Sequence, residues 1–530
     1  MMTKTPGTAS TGRTIAHLLA GTGMFCSIAS LAVAGTQQST DLEGPALTVY
    51  STADPAGFDP QEFISSQGTN DSSSYARFIP GFAVVRETRQ LEIEKGLSEL
   101  RFTDVAAFID PTSVGFTDLT SRGTTVLEQN FEFDLVSPAK LLKKYIDREV
   151  TLNWDAGGQS MTGTLLSANG SMAVLDVSEH MEGAAIQIVP TKDARISMGE
   201  LPGGLITRPT LVWKVNSPVA GKHDIQTSYQ TAGITWRADY NLVLGQDETS
   251  ADLTAWVSLL NVSGSSYENA RLKLVAGDVQ RIQPQRLAGM ARGARMMEAD
   301  SFGGGGGFEE ESFFEYHLYT LPRRTDVKAN GTQQLTLFPP IRGFKVTKEL
   351  LFQGAPGLMR GNWPNNPSTN AGYGVVSDGE IEIFVEFENK KDNGLGMPMP
   401  AGKIRAYKEN PSDGSLVFIG EDVIDHTPRN ETVRLKIGNA FDVVGERTQV
   451  DFNVNTTAKT MTETWSIEIR NQKSESQKVI VREPLYRWRN WAITKSSDEY
   501  TKLNARTIQW DLDVPAEGSR TITYTVKYTW

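Results

Sequence analysis

The sequence predicts a mainly β protein: multi-domain antiparallel β-sandwiches with a small SH3-like barrel segment and one short helix. Apolar residues recur at every second position over long stretches, most cleanly in Glu380–Glu388, where acidic and apolar residues alternate. Short β-type runs are bounded by Gly, Pro, Asp or Asn-Gly, as at Asn169-Gly170. Helix-initiating chemistry stands out at Ser137-Pro138, a cap residue followed by Pro at the first helical position, leading into Ala139 to Ile146.

The order along the chain follows. Residues 1–34 read as a secretory signal: Lys4 and Arg13 supply a positive start, Ile15 to Leu31 is apolar or small, and Ala32-Val33-Ala34 is a cleavage signature. The single cysteine, Cys26, lies inside it, so the mature chain carries no thiol, and its stability must come from core and ladders. Phe25 and Met24 are too bulky for a lipid-attachment signal, and Cys26 is read as a small hydrophobe. Residues 35–74, rich in Ser, Thr, Asp, Gly and Pro, read as a disordered tail with one early strand at Leu47–Tyr50, and order is expected from near Tyr75. Residues 75–146 form an N-terminal β domain ending in the helix. Residues 147–204 carry short, closely spaced strands of an SH3-like segment. Residues 205–530 are β-sandwich, with strands expected at Thr210–Val215, Lys222–Tyr229, Trp236–Leu244, Ala251–Asn261 and Ala270–Ala276. A flexible loop at 284–311, containing Gly303 to Gly307, interrupts them. Val450, Phe452 and Val454, then Trp465, Ile467 and Ile469, and finally Ile522, Tyr524, Val526, Tyr528 and Trp530 each mark an apolar strand face.

Composition narrows the function. Hydrophobic residues make up 39% and charged residues 22% of the 530, ordinary for a folded chain. A net charge of −11 argues against nucleic acid, whose binding needs basic patches. Beyond the signal, no run approaches the ~18 apolar residues of a membrane-spanning helix. His180, His223, His317 and His426 are scattered, without metal-ligand spacing. The chain has no nucleophile elbow and no Walker loop, so no cofactor, metal or catalytic residue is expected.

Two constellations remain. Asp239, between Trp236 and Tyr240, is the most suggestive lone carboxylate, but Arg237 shares its strand face and an ion pair is the plainer reading. Arg482, Arg487, Trp488, Arg489 and Trp491 form the candidate binding cluster, since indoles stack on sugars or cations while Arg pairs with anions. Cross-strand aromatics flanked by solvated Arg would give the same pattern.

Trp236-Arg237-Ala238-Asp239-Tyr240, Trp256 to Asn261, Ser265 to Leu274 with Asn269, and Ala276-Gly277-Asp278 together resemble the mucoidy-inhibitor-like family over about residues 205–530. Glu315 to Tyr319, Phe344 and Thr523 to Val526 fit the same C-terminal domain of unknown function. This chain departs from better-known members in lacking a long coiled coil before that domain. The resemblance implies an envelope-associated β-rich protein and carries no catalytic residues; its motif positions are read as structural. The expected function is that of an exported, non-enzymatic cell-envelope binding or scaffold protein, periplasmic or extracellular, whose partner is an envelope protein or polysaccharide. The alternatives are an outer-membrane β-barrel ending in the aromatic Trp530 and a polysaccharide-active hydrolase with remote carboxylates.

Overall fold

Alternating side chains put every second residue of a strand on one face, and in the computed structural model that alternation produces six sheets among the described residues. The described residues lie between 43 and 530; residues 1–42, 52–57, 59–78, 134–137, 155–158, 200–206, 280–307 and a few shorter stretches fall outside them. The expected signal, most of the expected tail and most of the 284–311 loop are therefore outside the described residues.

The strand expected inside the tail is Ala46–Tyr50, and it lies centrally in an eight-stranded sheet. It runs parallel to Tyr267–Ala276 on one side and antiparallel to Phe82–Ile93 on the other, with Leu47 and Val49 fully buried. Order thus begins well before Tyr75. The ladders also cross the boundary expected at 205. Gly221–Thr231 pairs with Phe82–Ile93 and Gly115–Asp118, while Thr210–Ser217 lies between Gly96–Thr103 and Thr125–Glu132. Residues 82–132 and 210–276 therefore build shared sheets over one apolar core that includes Trp213, Trp236 and Tyr240. Sequence periodicity finds the strands but is blind to which strands pair.

The 147–204 segment is a five-stranded antiparallel sheet: Ala194–Ser197, Glu149–Trp154, Gln159–Ala168, Met172–Asp176 and Ile186–Pro190. Its edge strands do not pair with each other, so the barrel is not closed. The expected helix is Pro138–Lys144. Leu142 and the following Tyr145 pack on the small sheet, so the helix closes that core rather than the preceding domain's.

Gly331–Lys345, Ser250–Asn261, Ile234–Leu244, Gly402–Glu409 and Leu416–Ile424 form a five-stranded mixed sheet. A six-stranded sheet holds Thr432–Asn439, Ile381–Glu388, Thr347–Gln353, Gln477–Pro484, Thr507–Val514 and Thr501–Lys502. A four-stranded sheet holds Val443–Asn455, Thr460–Asn471, Gly518–Thr529 and Trp491–Ser496. These last two sheets share a core of Trp465, Ile467, Ile469, Trp510, Ile522, Tyr524 and Val526. Val450 departs from expectation. A bulge between Gln449 and Asp451 inserts one residue, which leaves Val450 61% exposed while Phe452 and Val454 return to the core.

Three buried asparagines repeat one device where a strand ends. Asn261 donates to Ser265 O and Val327 O and accepts from Ser263 N. Asn389 donates to Met397 O and Pro428 O and accepts from Gly396 N. Asn471 donates to Glu475 O and Pro515 O and accepts from Lys473 N. A primary amide offers two donors and an acceptor on one plane, so each satisfies backbone groups of its own turn and of a neighbouring connection.

Candidate functional site

The strand Gln477–Pro484 leaves its sheet at Leu485, whose N–H donates to Arg506 O at 2.6 Å. Beyond it the chain turns and the candidate cluster separates. Arg487 points inward and is fully buried. Its five N–H groups are all used: Nε donates to Glu463 Oε1 (2.5 Å), Nη1 to Ser368 O and Asn370 O (3.0 and 2.6 Å), and Nη2 to Ala371 O and Tyr373 O (3.1 and 3.0 Å). Phe452 lies beneath the guanidinium at 4.6 Å. Arg487 is thus the strap of the long connection between Met359 and Ile381, not a ligand-facing group.

A second buried pair supports the same connection. Arg447 Nε contacts both Glu483 oxygens at 2.9 and 3.0 Å, its Nη1 donates to Gly374 O, and its guanidinium covers Trp465 at 3.3 Å. Tyr524 donates to Glu483 Oε2 at 2.7 Å. Burial pushes the Glu483 carboxyl up, and Arg447 and Tyr524 draw it back. Gly354 makes room for this carboxylate, since a Cβ there would sit 1.4 Å from Glu483 Oε1.

The remaining cluster members lie on the other side of the turn. Arg489, exposed, lies over Trp488 at 4.8 Å, and Lys502 lies over Trp491 at 4.5 Å. Trp491 Nε1 donates to Ala505 O at 2.8 Å, and both indoles sit half-buried against the core. Arg506 lies over Trp363 at 4.8 Å and donates to Leu358 O. Three cation–indole pairs therefore gather where the strapped loop, the 485–491 turn and the 501–507 hairpin are hydrogen-bonded together. Arg482 is elsewhere, half-buried on the outer face of the six-stranded sheet with Nε on Gln509. Trp363, Lys502 and Arg506 were not foreseen, because their pairing with the run at 488–491 is tertiary.

The ring-stacked cations differ in their ionic partners. Arg89, Arg237, Arg434, Arg447 and Arg487 also stack on rings, and each has a carboxylate partner. Arg489 and Lys502 have none among the described residues, and neither does Arg148, which lies over Tyr145 at 5.7 Å in the small sheet's core.

Asp239 is the locked ion pair that the plainer reading expects. It accepts from Arg237 Nε at 3.1 Å and Ser258 Oγ at 2.5 Å, with Arg405 Nη1 at 3.5 Å. Trp236 and Tyr240 are core residues, and Tyr240 donates to Pro400 O. Trp256 is half-buried opposite Asp239 in the ladder. Asn269 adopts a left-handed φ of 52°, its N–H bound to Asp326 Oδ1 and its carbonyl to Arg324. Gly277, at φ 135°, leaves space for Tyr316, whose ring would lie 2.6 Å from a Cβ. Asp278 lies outside the described residues.

The four described histidines stay apart. His180, His223 and His317 contact Glu149, Asp118 and Glu310 at 3.0, 2.6 and 2.8 Å, and His426 Nδ1 accepts from Ala401 N. The sequence reading missed one carboxylate pair. Glu386, on the strand Ile381–Glu388, lies near Glu349 on the adjacent strand, and burial followed by the Glu349 charge raises its pKa. Arg434 pairs with both and covers Phe384 at 3.8 Å. The Glu alternation at 380–388 signalled the acidic face, but nothing in the sequence signalled its partner.

No curated protein matches the chain. Residues 225–530, more than half of its length, match the family model described as a domain of unknown function, DUF4139, and the chain therefore belongs to that family.

Proposed function

We propose that this is an exported, non-enzymatic cell-envelope protein that binds or scaffolds other envelope components, and that the cation–indole end of its C-terminal sandwich is the contact surface. One observation carries the reading: Arg489 and Lys502 lie exposed over neighbouring indoles without an internal carboxylate among the described residues, in a protein of net charge −11. A stacked cation has already lost rotamer freedom, so an incoming anionic group meets a preorganised partner. The mucoidy-inhibitor-like resemblance beyond the shared domain, and the signal at 1–34, belong to this reading.

The alternatives fit less well. No sheet closes into a barrel among the described residues, and Ile522, Tyr524, Val526 and Tyr528 of the last strand are buried in a protein core instead of facing lipid. A glycoside hydrolase needs two carboxyl groups free to act on substrate, whereas Glu349 and Glu386 share Arg434 and Asp239 is gripped by Arg237.

The test is co-sedimentation of the mature chain, residues 35–530, with isolated envelope fractions. The R489Q/K502Q double variant is expected to lose retention while keeping its circular dichroism and melting temperature. Unchanged retention would defeat the assignment of the surface. Turnover of a glycan, ester or peptide that disappears on one Asp or Glu substitution would defeat the non-enzymatic reading.

A further inference from the structure

We infer that the partner of this end is a polysaccharide bearing carboxylate groups, an inference that rests on the binding reading above. Two independent features meet here. The first is the uncompensated cations. Arg489 is exposed over Trp488 and none of its N–H groups is taken by a carboxylate among the described residues, and a guanidinium can meet a carboxylate in bidentate geometry. Lys502 adds a point charge on the neighbouring indole.

The second feature is the strapped loop. Asn365, Asn366, Thr369 and Asn370 are exposed on it, next to Trp363. Long loops without regular structure rarely hold a single conformation, yet here four successive carbonyl contacts to Arg487 fix the backbone over Ser368–Tyr373. The Tyr486 hydroxyl adds two more, to Tyr373 O and Gly374 O at 3.2 Å. Exposed amides and a hydroxyl on a loop held by Arg487, together with exposed cations on the adjoining turn and hairpin, suit a ligand that is both hydroxylated and acidic. A lipid surface calls instead for projecting apolar edges; here Trp488 and Trp491 are seated against the core and the Trp491 N–H is already bound.

The experiment uses affinity electrophoresis of the mature chain through gels containing sodium polygalacturonate, dextran or polyglutamate, with phosphatidylglycerol vesicle flotation as a further arm. Polygalacturonate alone is expected to retard the chain. R489Q and K502Q should each weaken that binding by roughly three- to five-fold, the scale of an exposed ion pair. Each should also make it less salt-dependent. N370A should weaken it without changing the salt dependence, a separation that a purely electrostatic contact would not give.

Equal retardation by dextran would overturn the carboxylate requirement. Equal retardation by polyglutamate, or flotation with vesicles, would overturn the saccharide assignment. Retention on envelope fractions that R489Q/K502Q abolishes, without any polygalacturonate binding, would sink this inference and leave the binding reading standing. Loss of retention on every fraction by the unmodified chain would remove both.

Discussion

Replacing Arg487 with Met tests whether the strap fixes the long connection. The substitution removes five donors at once, leaving Glu463 buried without its cation and four loop carbonyls without their guanidinium. Breaking a buried ion pair by deleting one partner costs about 3–5 kcal/mol, because the remaining charge is uncompensated. Each carbonyl that fails to find water adds about 1 kcal/mol. Protonation of Glu463 would relieve part of the first term, so the expected total is about 4–6 kcal/mol, a large share of the ~5–15 kcal/mol that stabilises a domain. Urea denaturation of residues 35–530 measures the loss. Amide exchange over Ser368–Tyr373 reports whether the loop is released. Adding E463Q to R487M should recover the charge part of the loss but not the loop protection. An R487M loss below about 1 kcal/mol with unchanged loop exchange would refute the reasoning, since neither the buried charge nor the carbonyls would then depend on Arg487.

Three further outcomes are expected. Gly354→Ala places a methyl 1.4 Å from Glu483 Oε1 and should displace that carboxylate from Arg447 and Tyr524, lowering stability by about 3–5 kcal/mol in the same denaturation assay. Asn471→Ala leaves backbone acceptors of two connections unmet and should cost about 1–3 kcal/mol, whereas Asn453→Ala on the exposed face of the neighbouring strand should cost less than about 0.5 kcal/mol. Glu248 gives a pH effect. Burial raises its carboxyl, but Lys348 and Lys408 outweigh burial and hold it at about 2. Folded, it binds fewer protons than unfolded, so its contribution is complete above its ordinary value of 4.5 and is lost as pH falls through about 2. The full shift corresponds to about 3 kcal/mol, discounted to about 1 kcal/mol because the side chain is 32% exposed and screened. Stability curves of the natural chain and E248Q should therefore converge toward pH 2; parallel curves would show that the lysines do not act through this carboxylate.

The strands were legible because half-buried β-structure writes itself into alternate residues. Ile381–Glu388 and Gly518–Thr529 fall where the alternation places them, as does the helix at Pro138–Lys144 where Ser137-Pro138 announces it. Partners were not legible. Ala46–Tyr50 has the same local pattern whether it lies in a tail or at the centre of an eight-stranded sheet, and its neighbours are some forty and more than two hundred residues away. The bulge at Gln449 was hidden for a different reason: Val450 continues the apolar alternation, and only the ladder shows the extra residue. At the candidate site, composition located the Arg/Trp run but not the direction of each side chain. Arg487 and Arg489 are two residues apart, yet one is saturated in the interior and the other is held out on an indole.

That opposition gives the buried charge of this unit a meaning. An ion pair in an apolar core is weak evidence for stability, because desolvation offsets most of its attraction. As ion pairs alone, Arg487–Glu463 and Arg447–Glu483 could be replaced by apolar residues at little cost. Apolar residues could not, however, donate to Ser368, Asn370, Ala371, Tyr373 and Gly374 carbonyls, and those contacts fix one conformation of a connection that its own sequence leaves loose. The two buried arginines therefore act on geometry more than on stability. If so, replacing both pairs together by apolar residues should cost less stability than R487M alone, because no buried charge is left unpaired, while amide protection at 368–374 falls.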